Sequence, residues 1–437
     1  MLISFSVGNF RSFNQVQHFS MKAGRYSRLE NHLILFNGNR YLKCGALFGA
    51  NASGKSNLIK AVQFAKSIVF EGVSSSVLAN SYFRLLDDAK FKPGFFEFRI
   101  ESNNVIYEYG FEISYLENRI IAEWLYKLRG EKRTCIFKRE LKKDTITDLV
   151  IKEKINRQRF DIYTHDVAST KTILAEFAEH KLNDIEDFKA FFDVYDWFGR
   201  LMIIFPDSYF RGIAQFYIND LKKNSYEEML AFFDSGIKGI SEDKKPIEKT
   251  LDFLPDDVRK KVISDITNEL ENDEEKTADL SIDDKRISIS KNEDGLLVAH
   301  ELLMNHGNDN ELFKLEDESD GTRRLFDLIP IYSKAQEECV FLVDELDRSF
   351  HSKLTQEFIK KYYADNAMNR SQLVFTTHDL HLMSLEQFRQ DEIWFVEKDE
   401  EQSSKLFSLQ KYNARFDKDI AKGYLRADFG AVPSIGV

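Results

Sequence analysis

The stretch Gly-Ala-Asn-Ala-Ser-Gly-Lys-Ser, residues 49–56, decides how this sequence is interpreted. It satisfies the phosphate-binding pattern GxxxxGK[ST], in which backbone N–H groups surround the phosphates of a nucleotide. An apolar run, Cys44 to Phe48, precedes the stretch, and a helix-compatible segment begins at Asn57. Strand, loop and helix N-terminus in this order form the context in which the pattern binds phosphate. We therefore predict a nucleoside triphosphate site here, rather than a Gly/Ser-rich turn that matches by accident.

The positions of this phosphate loop have distinct predicted roles. Lys55 is expected to reach the β- and γ-phosphates, and the hydroxyl of Ser56 is expected to bind Mg²⁺. The other predicted nucleotide contacts are Gly49, Asn51, Ala52, Ser53, Gly54 and Asn57.

A second motif, Val-Phe-Leu-Val-Asp-Glu at residues 340–345, consists of four apolar residues and two carboxylates. In phosphate-loop NTPases, Asp344 would hold Mg²⁺ and Glu345 would polarise the attacking water as a general base. A buried strand that ends in a solvated acidic turn is the alternative. His378 follows another short apolar run and is placed to hydrogen-bond a γ-phosphate, although a structural histidine is the alternative there.

Composition sets the class of protein. The 437 residues suit two or three compact units, and 43% hydrophobic with 30% charged residues is an ordinary globular mixture. A net charge of −11 argues against a protein that coats nucleic acid, but not against a local basic groove. Because no run reaches the roughly 18 apolar residues of a membrane span, we expect a cytoplasmic protein without membrane association.

Strands that alternate with helices around the phosphate loop predict an α/β fold with a mostly parallel sheet. Period-two patterning between residues 95 and 137 predicts an antiparallel sheet, and residues 169–267 follow a helical stripe. The acidic segment 268–284 is expected to be a solvated loop or a frayed helix. The predicted parts are an N-terminal ATPase part with an antiparallel β subdomain (1–140), a mainly helical insertion lobe (141–290) and a C-terminal ATPase part (291–437).

The segment Glu-Ser-Asp-Gly-Thr-Arg-Arg, residues 318–324, completes a recognisable order of motifs. The order of motifs along the chain resembles that of the ABC-type ATPases of the SMC, RecF and OLD group. This order is phosphate loop, long insertion, Ser-x-Gly signature, Asp-Glu strand and His. The chain more closely resembles the AAA, ABC-type ATPases of bacterial anti-phage and abortive-infection systems, which include AbiL-, RloC- and PARIS-like proteins. The further matching segments are 9–13, 83–85, 95–98, 344–351, 377–379, 393–398 and 423–425.

This resemblance implies ATP as the nucleotide and a head-to-tail homodimer. Ser319 and Gly321 of one subunit, with Thr322, would cap the γ-phosphate that Lys55 of the other subunit holds. Arg11 would lie near the nucleotide. The departure of Asp320 and Thr322 from the transporter signature argues against a transporter.

The resemblance also implies a biological role. The protein would be an ATP-hydrolysing subunit of an abortive-infection system that controls a separately encoded effector, such as a TOPRIM- or RloB-like nuclease. The sequence contains no HNH or metal-ligand cluster. A loose Arg-x₆-His ribonuclease pattern, Arg11 to His18, overlaps the start of the ATPase that the resemblance already explains, so we expect no effector chemistry beyond ATP hydrolysis. The alternative is a RecF-like, DNA-binding ATPase of DNA repair.

A basic hairpin motivates that alternative. The sequence leaves open whether this hairpin contacts nucleic-acid phosphates, an acidic protein partner or only solvent. Its cations are Lys127, Arg129, Lys132, Arg133, Lys138, Arg139, Lys142 and Lys143.

Overall fold

The computed structural model describes residues 1–140, 145–148, 151, 153–165, 167–180, 182–208, 220–272, 277–282, 285–292, 294–412, 414–415 and 419–431. The chain divides into two compact units. The first comprises Met1–Pro206, Ala335–Asp347 and Thr355–Val437, and the second comprises Asp207–Lys334 and Arg348–Leu354.

The described strands are β1 (Leu2–Gly8), β2 (Gln17–Ser20), β3 (Leu33–Phe36), β4 (Asn39–Leu42), β5 (Cys44–Phe48), β6 (Gly94–Ser102), β7 (Val105–Ser114), β8 (Arg119–Arg129), β9 (Lys132–Glu140), β10 (Thr145–Asp148), β11 (Leu201–Ile204), β12 (Gly239–Pro246), β13 (Thr277–Ile282), β14 (Lys285–Lys291), β15 (Leu297–Asn305), β16 (Phe313–Lys314), β17 (Val340–Val343), β18 (Gln372–Thr376), β19 (Ile393–Lys398) and β20 (Ser404–Ser408). The described α-helices are α1 (Lys55–Glu71), α2 (Ser75–Leu78), α3 (Lys154–His165), α4 (Ile173–Glu179), α5 (Lys189–Gly199), α6 (Asp220–Phe232), α7 (Ile247–Thr250), α8 (Asp256–Asn272), α9 (Asp320–Leu328), α10 (Pro330–Ser333), α11 (Ser352–Asp365) and α12 (Ile420–Leu425).

A six-stranded sheet in the first unit confirms the predicted α/β fold. Its order is β11-β17-β18-β5-β19-β20, and all neighbouring strands are parallel except β20, which is antiparallel to β19. Every residue of β5 and β17 is buried, as expected of short apolar strands in a sheet covered on both faces. Because β17, β18 and β5 are adjacent and parallel, the segments that follow them lie at one edge of the sheet.

A seven-stranded antiparallel sheet, in the order β10-β9-β8-β7-β6-β1-β2, lies in the same unit. Alternate residues of β6 from Gly94 to Ile100 are buried, and the antiparallel pairing of β6, β7, β8 and β9 confirms the antiparallel sheet predicted between residues 95 and 137. The rings of Phe10, Phe64 and Phe96 lie within 5.5 Å of one another between centroids and join this sheet to α1.

Helices α3, α4 and α5 also belong to the first unit, so the predicted lobe boundary at residue 141 differs from the structure. The reason is hydrophobic packing. Trp197 and Phe198 of α5 lie 6.0 and 5.0 Å from the ring of Phe98 in β6. The aromatic stripe of these helices therefore adds to the core of the antiparallel sheet instead of forming a core of its own.

The second unit is mixed rather than mainly helical. Its sheet has the order β12-β15-β14-β13, with β16 paired to β15. Ile247, Ile266 and Leu270 of the helices pack with Ile287 and Ile289 of the sheet. Residues 277–282, expected as a loop or frayed helix, form β13. Ala278, Leu280 and Ile282 alternate along it and pack in this core, a period-two pattern that the surrounding acidic residues conceal.

No helix in the described ranges is long and apolar enough to span a membrane.

Candidate nucleotide-binding site

The phosphate loop connects the end of β5 to the start of α1 and is closely packed at both of its glycines. Gly49 and Gly54 have φ values of 156° and 111°. A Cβ atom at Gly49 would lie 2.3 Å from the carbonyl oxygen of Val396, and one at Gly54 would lie 2.2 Å from Ser404 Oγ. Ala52 adopts a left-handed φ of 60°, which is unfavourable for a residue with a side chain. The loop is therefore held in one shape by its neighbours.

Two serines outside the phosphate loop, Ser12 and Ser404, also help to fix its shape. Asn57 Nδ2 donates to Ser12 Oγ at 2.8 Å, and Ser404 Oγ donates to the carbonyl oxygen of Ser53 at 2.5 Å. The N–H of Ser404 in turn donates to the carbonyl oxygen of Ser12 at 2.7 Å. Sequence reasoning missed both residues. Ser12 lies within the matching segment 9–13, whereas nothing in the sequence around Ser404 indicates such a role.

Lys55 is almost completely buried, with 5% of its surface exposed. Its ammonium group donates to the carbonyl oxygens of Gly49 at 2.8 Å and Ala50 at 3.1 Å. Burial lowers the pKa of Lys55 to about 8, although the nearby carboxylates of Asp344 and Glu345 act in the opposite direction. The ammonium ion is thus retained at neutral pH but is poorly solvated, and anionic phosphates would stabilise it.

The carboxylates of the second motif follow β17, beside the end of β18. Asp344 is buried, and Thr376 Oγ1 donates to its Oδ1 at 2.6 Å. The N–H of Glu345 donates to the same Thr376 oxygen at 2.8 Å. Glu345 has a left-handed φ of 50°, a strained conformation of the kind that persists where surrounding contacts impose it.

His378 lies two residues beyond β18, and its side chain is exposed. Its backbone N–H donates to both carboxylate oxygens of Asp347 at 3.3 Å. Although this side chain is exposed, the protein around the ring removes part of its hydration. This desolvation and the positive charge of Lys55 lower the pKa of His378, against the opposing effect of Asp347. A neutral imidazole at physiological pH follows, which suits a hydrogen-bonding role better than a charged one.

The residues present fit Mg²⁺ bound together with a nucleotide. Within the described residues, no group of three or more His, Cys, Asp and Glu side chains could hold a metal ion alone. Mg²⁺ commonly takes one or two protein oxygen ligands and completes its shell with water and substrate phosphates. The carboxylate of Asp344 and the hydroxyl of Ser56 are oxygen donors of this type.

The signature residues belong to the second unit. Ser319 caps the N-terminus of α9: its Oγ accepts from the N–H of Thr322 at 3.1 Å and lies 2.9 Å from Thr322 Oγ1. A Cβ atom at Gly321 would lie 3.0 Å from the carbonyl oxygen of Ser349, so a larger residue would crowd the backbone there. Ser319 is exposed, and its role as a nucleotide contact remains a prediction.

Arg11 is anchored through its backbone. Its φ is 48°, and its N–H donates to the carbonyl oxygen of Ser81 at 2.7 Å. The side chain is exposed, and its guanidinium carbon lies 5.6 Å from the centroid of the Phe10 ring. A nucleotide contact by this side chain remains a prediction.

The basic hairpin is partly neutralised by its own neighbours. Arg133 pairs with Glu108, Lys138 pairs with Glu140, and the buried Arg139 lies 3.7 Å from Glu123. Lys142 and Lys143 fall outside the described residues. The cations left exposed at the tip, with no ion pair in the part of the chain that the structure describes, are Lys127, Arg129 and Lys132.

Comparison with solved structures gives matches to SMC heads at low similarity. They are an SMC head bound to the C-winged helix domain of ScpA (13% identity, TM-score 0.41, 94% of this chain and 99% of that chain), the SMC head domain from Thermotoga maritima (12%, 0.36, 93% and 98%) and an Smc head domain with an extended coiled coil bound to the C-terminal domain of ScpA derived from Pyrococcus furiosus (15%, 0.38, 94% and 97%). No curated protein matches the sequence.

A family model described as "AAA domain, putative AbiEii toxin, Type IV TA system" matches residues 46–384. The matched span contains the phosphate loop, the Asp344–Glu345 pair and His378. Because it covers most of the sequence, the chain belongs to this family of AAA ATPase domains.

Proposed function

We propose that this protein binds ATP with Mg²⁺ and hydrolyses it to ADP and phosphate. The observation that carries the proposal is the arrangement at one edge of the parallel sheet. A tightly packed phosphate loop follows β5, two carboxylates follow β17, and His378 follows the intervening strand β18. The groups proposed to bind phosphate and the proposed general base therefore lie on neighbouring segments, which supports the proposal.

Each group has a role in the proposed reaction. The loop N–H groups and Lys55 bind the β- and γ-phosphates, and Ser56 and Asp344 hold Mg²⁺, which offsets phosphate charge when bound. Glu345 accepts a proton from the attacking water. His378, with a lowered pKa, donates a hydrogen bond to the γ-phosphate from a neutral imidazole.

We further propose that a second copy of the chain completes the site in a head-to-tail homodimer. Ser319 and Asp320 are exposed and Gly321 and Thr322 are half-buried, so this end of α9 is accessible to a partner. Ser319, Gly321 and Thr322 would supply hydroxyl and backbone N–H donors to a γ-phosphate, which a helix N-terminus favours.

For the biological role, we propose an abortive-infection system in which ATP-dependent closure controls a separately encoded nuclease. The family description, which names a putative AbiEii toxin of a type IV toxin–antitoxin system, supports a role of this class. Co-purification with the product of a neighbouring gene tests the separate effector. Protection of cells from phage by this chain alone would contradict it.

The variant Glu345→Gln tests the enzymatic proposal. Loss of the general base should slow ATP hydrolysis by about 100-fold or more, since general-base catalysis contributes that much. ATP binding should survive, and analytical ultracentrifugation should show an ATP-trapped dimer. The matched control is Glu357→Gln on the surface of α11, which should hydrolyse ATP normally. Hydrolysis at the wild-type rate by Glu345→Gln would remove Glu345 from the mechanism.

A further inference from the structure

Thr376 forms hydrogen bonds with both acidic residues of the proposed site, Asp344 and Glu345. It does not belong to the sequence motif that identifies them. It is the last residue of β18 and is completely buried. In the parallel pairing of β17 and β18, Val343 lies opposite Phe375, so Thr376 lies beside the turn that begins at Asp344.

Three hydrogen bonds attach this turn to Thr376. Its Oγ1 donates to Asp344 Oδ1 at 2.6 Å and accepts from the N–H of Glu345 at 2.8 Å. Its carbonyl oxygen accepts from the N–H of Leu346 at 3.0 Å. A backbone N–H can only donate, so the hydroxyl accepts from Glu345 and its single hydrogen is left to donate to Asp344.

Both side-chain bonds bear on the chemistry of the site. The bond to Oδ1 fixes the rotation of the Asp344 carboxylate. The bond from Glu345 restrains a residue whose left-handed backbone needs external support. The side chain of valine has nearly the same shape and could make neither bond.

We propose that Thr376 is a positioning residue for magnesium and for the general base, holding Asp344 and Glu345 in one geometry through a single hydroxyl. This inference rests on the proposed ATPase function. A residue that orients metal ligands from outside the coordination shell contributes about 10- to 100-fold in metal affinity or activity.

The alternative is a purely structural role, in which the hydroxyl of Thr376 makes its hydrogen bonds only because it is buried at the end of a strand. Thr377 provides a matched control for this, because it is also completely buried and adjoins Thr376. Its hydroxyl accepts at 3.0 Å from the N–H of Asp379, which belongs to the same segment of the chain and not to the acidic pair. A generic cost of replacing a buried threonine by valine should therefore appear in both variants.

The experiment measures Mn²⁺ binding, by electron paramagnetic resonance, to the full chain with a non-hydrolysable ATP analogue. We expect Thr376→Val to weaken Mn²⁺ binding by about 10- to 100-fold. Thr376→Ser and Thr377→Val should stay close to the wild type. Affinity for the analogue in EDTA should be unchanged in all variants, because the phosphate loop is intact.

Mn²⁺ binding by Thr376→Val that equals that of Thr377→Val would overturn the inference. Should thermal unfolding show that Thr376→Val is misfolded, Thr376→Ala replaces it. If the Thr376→Ala variant then binds Mn²⁺ as tightly as the Thr376→Ser variant does, the inference is also overturned. If the wild-type protein binds neither the analogue nor Mn²⁺, the proposed function itself fails, which is a distinguishable result.

Discussion

The two halves of the proposed site are constructed differently. In the first unit, Lys55, Asp344 and Thr376 are all buried and joined to their surroundings by hydrogen bonds. In the second unit, Ser319 is exposed, and its hydroxyl bonds within the first turn of its own helix, to Thr322. The first half is thus arranged before any ligand arrives, whereas the second half offers donors on a surface. In the proposed mechanism, ATP binding by the first half and ATP capping by the second half are therefore separate events.

The largest expected effect concerns the buried half. Lys55→Ala removes the cation that contacts the β- and γ-phosphates, and we expect ATP affinity to fall by at least about 100-fold, a loss of about 3 kcal/mol. Isothermal titration calorimetry measures it, with Lys60→Ala on the same helix as the control. Unchanged affinity in Lys55→Ala would show that the buried half does not bind the nucleotide.

The pH dependence of binding sharpens the same contrast. Burial lowers the pKa of Lys55 from 10.5 to about 8, and bound phosphates should raise it again. ATP binding should therefore take up protons near pH 8. Above that pH, the affinity for ATP should fall by several-fold, with a decrease of less than tenfold for each pH unit.

In the nucleotide-free protein, Lys55 gives the stability of the fold a pH dependence of the opposite sign. The unfolded chain holds this proton more tightly, so Lys55 makes folding more favourable as the pH rises from about 8 towards 10.5.

Calorimetry in two buffers with different ionisation enthalpies, at pH 8, measures the proton uptake directly. The Lys60→Ala variant should take up protons as the wild type does. Constant affinity between pH 7 and 9 without proton uptake would mean that Lys55 is not the phosphate-binding cation.

The smallest expected effect concerns the basic hairpin, which belongs to neither half of the proposed site. Reversing the charges at the tip of the basic hairpin, in the variant Lys127→Glu/Arg129→Glu/Lys132→Glu, should change the ATPase rate by less than about twofold, because exposed charges are screened by solvent and salt. The assay compares the rate with and without duplex DNA at low salt. A DNA-stimulated rate that this variant abolishes would favour the RecF-like alternative instead.

Sequence patterns predicted the parts of the site that depend on local chain order. The phosphate loop between Phe48 and Asn57 and the Asp-Glu pair after Val343 lie where the sequence predicts them, because each is fixed by its own strand and the adjoining segment. The contacts of Ser12, Ser404 and Thr376 were not predicted. Each joins segments distant in the chain; the bond between Ser53 and Ser404, for example, spans 351 residues. Such contacts depend on sheet order, which a single sequence does not display.

The division of the chain was the least predictable feature. A helical stripe shows that a face is buried but not what covers it, and α5 packs on β6 as well as on the neighbouring helix α4. Strand β13 was missed because the acidic residues that surround Ala278 and Leu280 dominate the composition of that segment.

Mixing two inactive variants tests the central claim that one site is built from two chains. Lys55→Ala removes the phosphate-binding half, and Ser319→Arg blocks the capping half. A head-to-tail heterodimer of the two would keep one intact site, formed by Lys55 of one chain and Ser319 of the other. We predict that ATPase activity reappears on mixing and reaches a substantial fraction of the wild-type value. Activity that never exceeds the sum of the two separate variants would contradict the account.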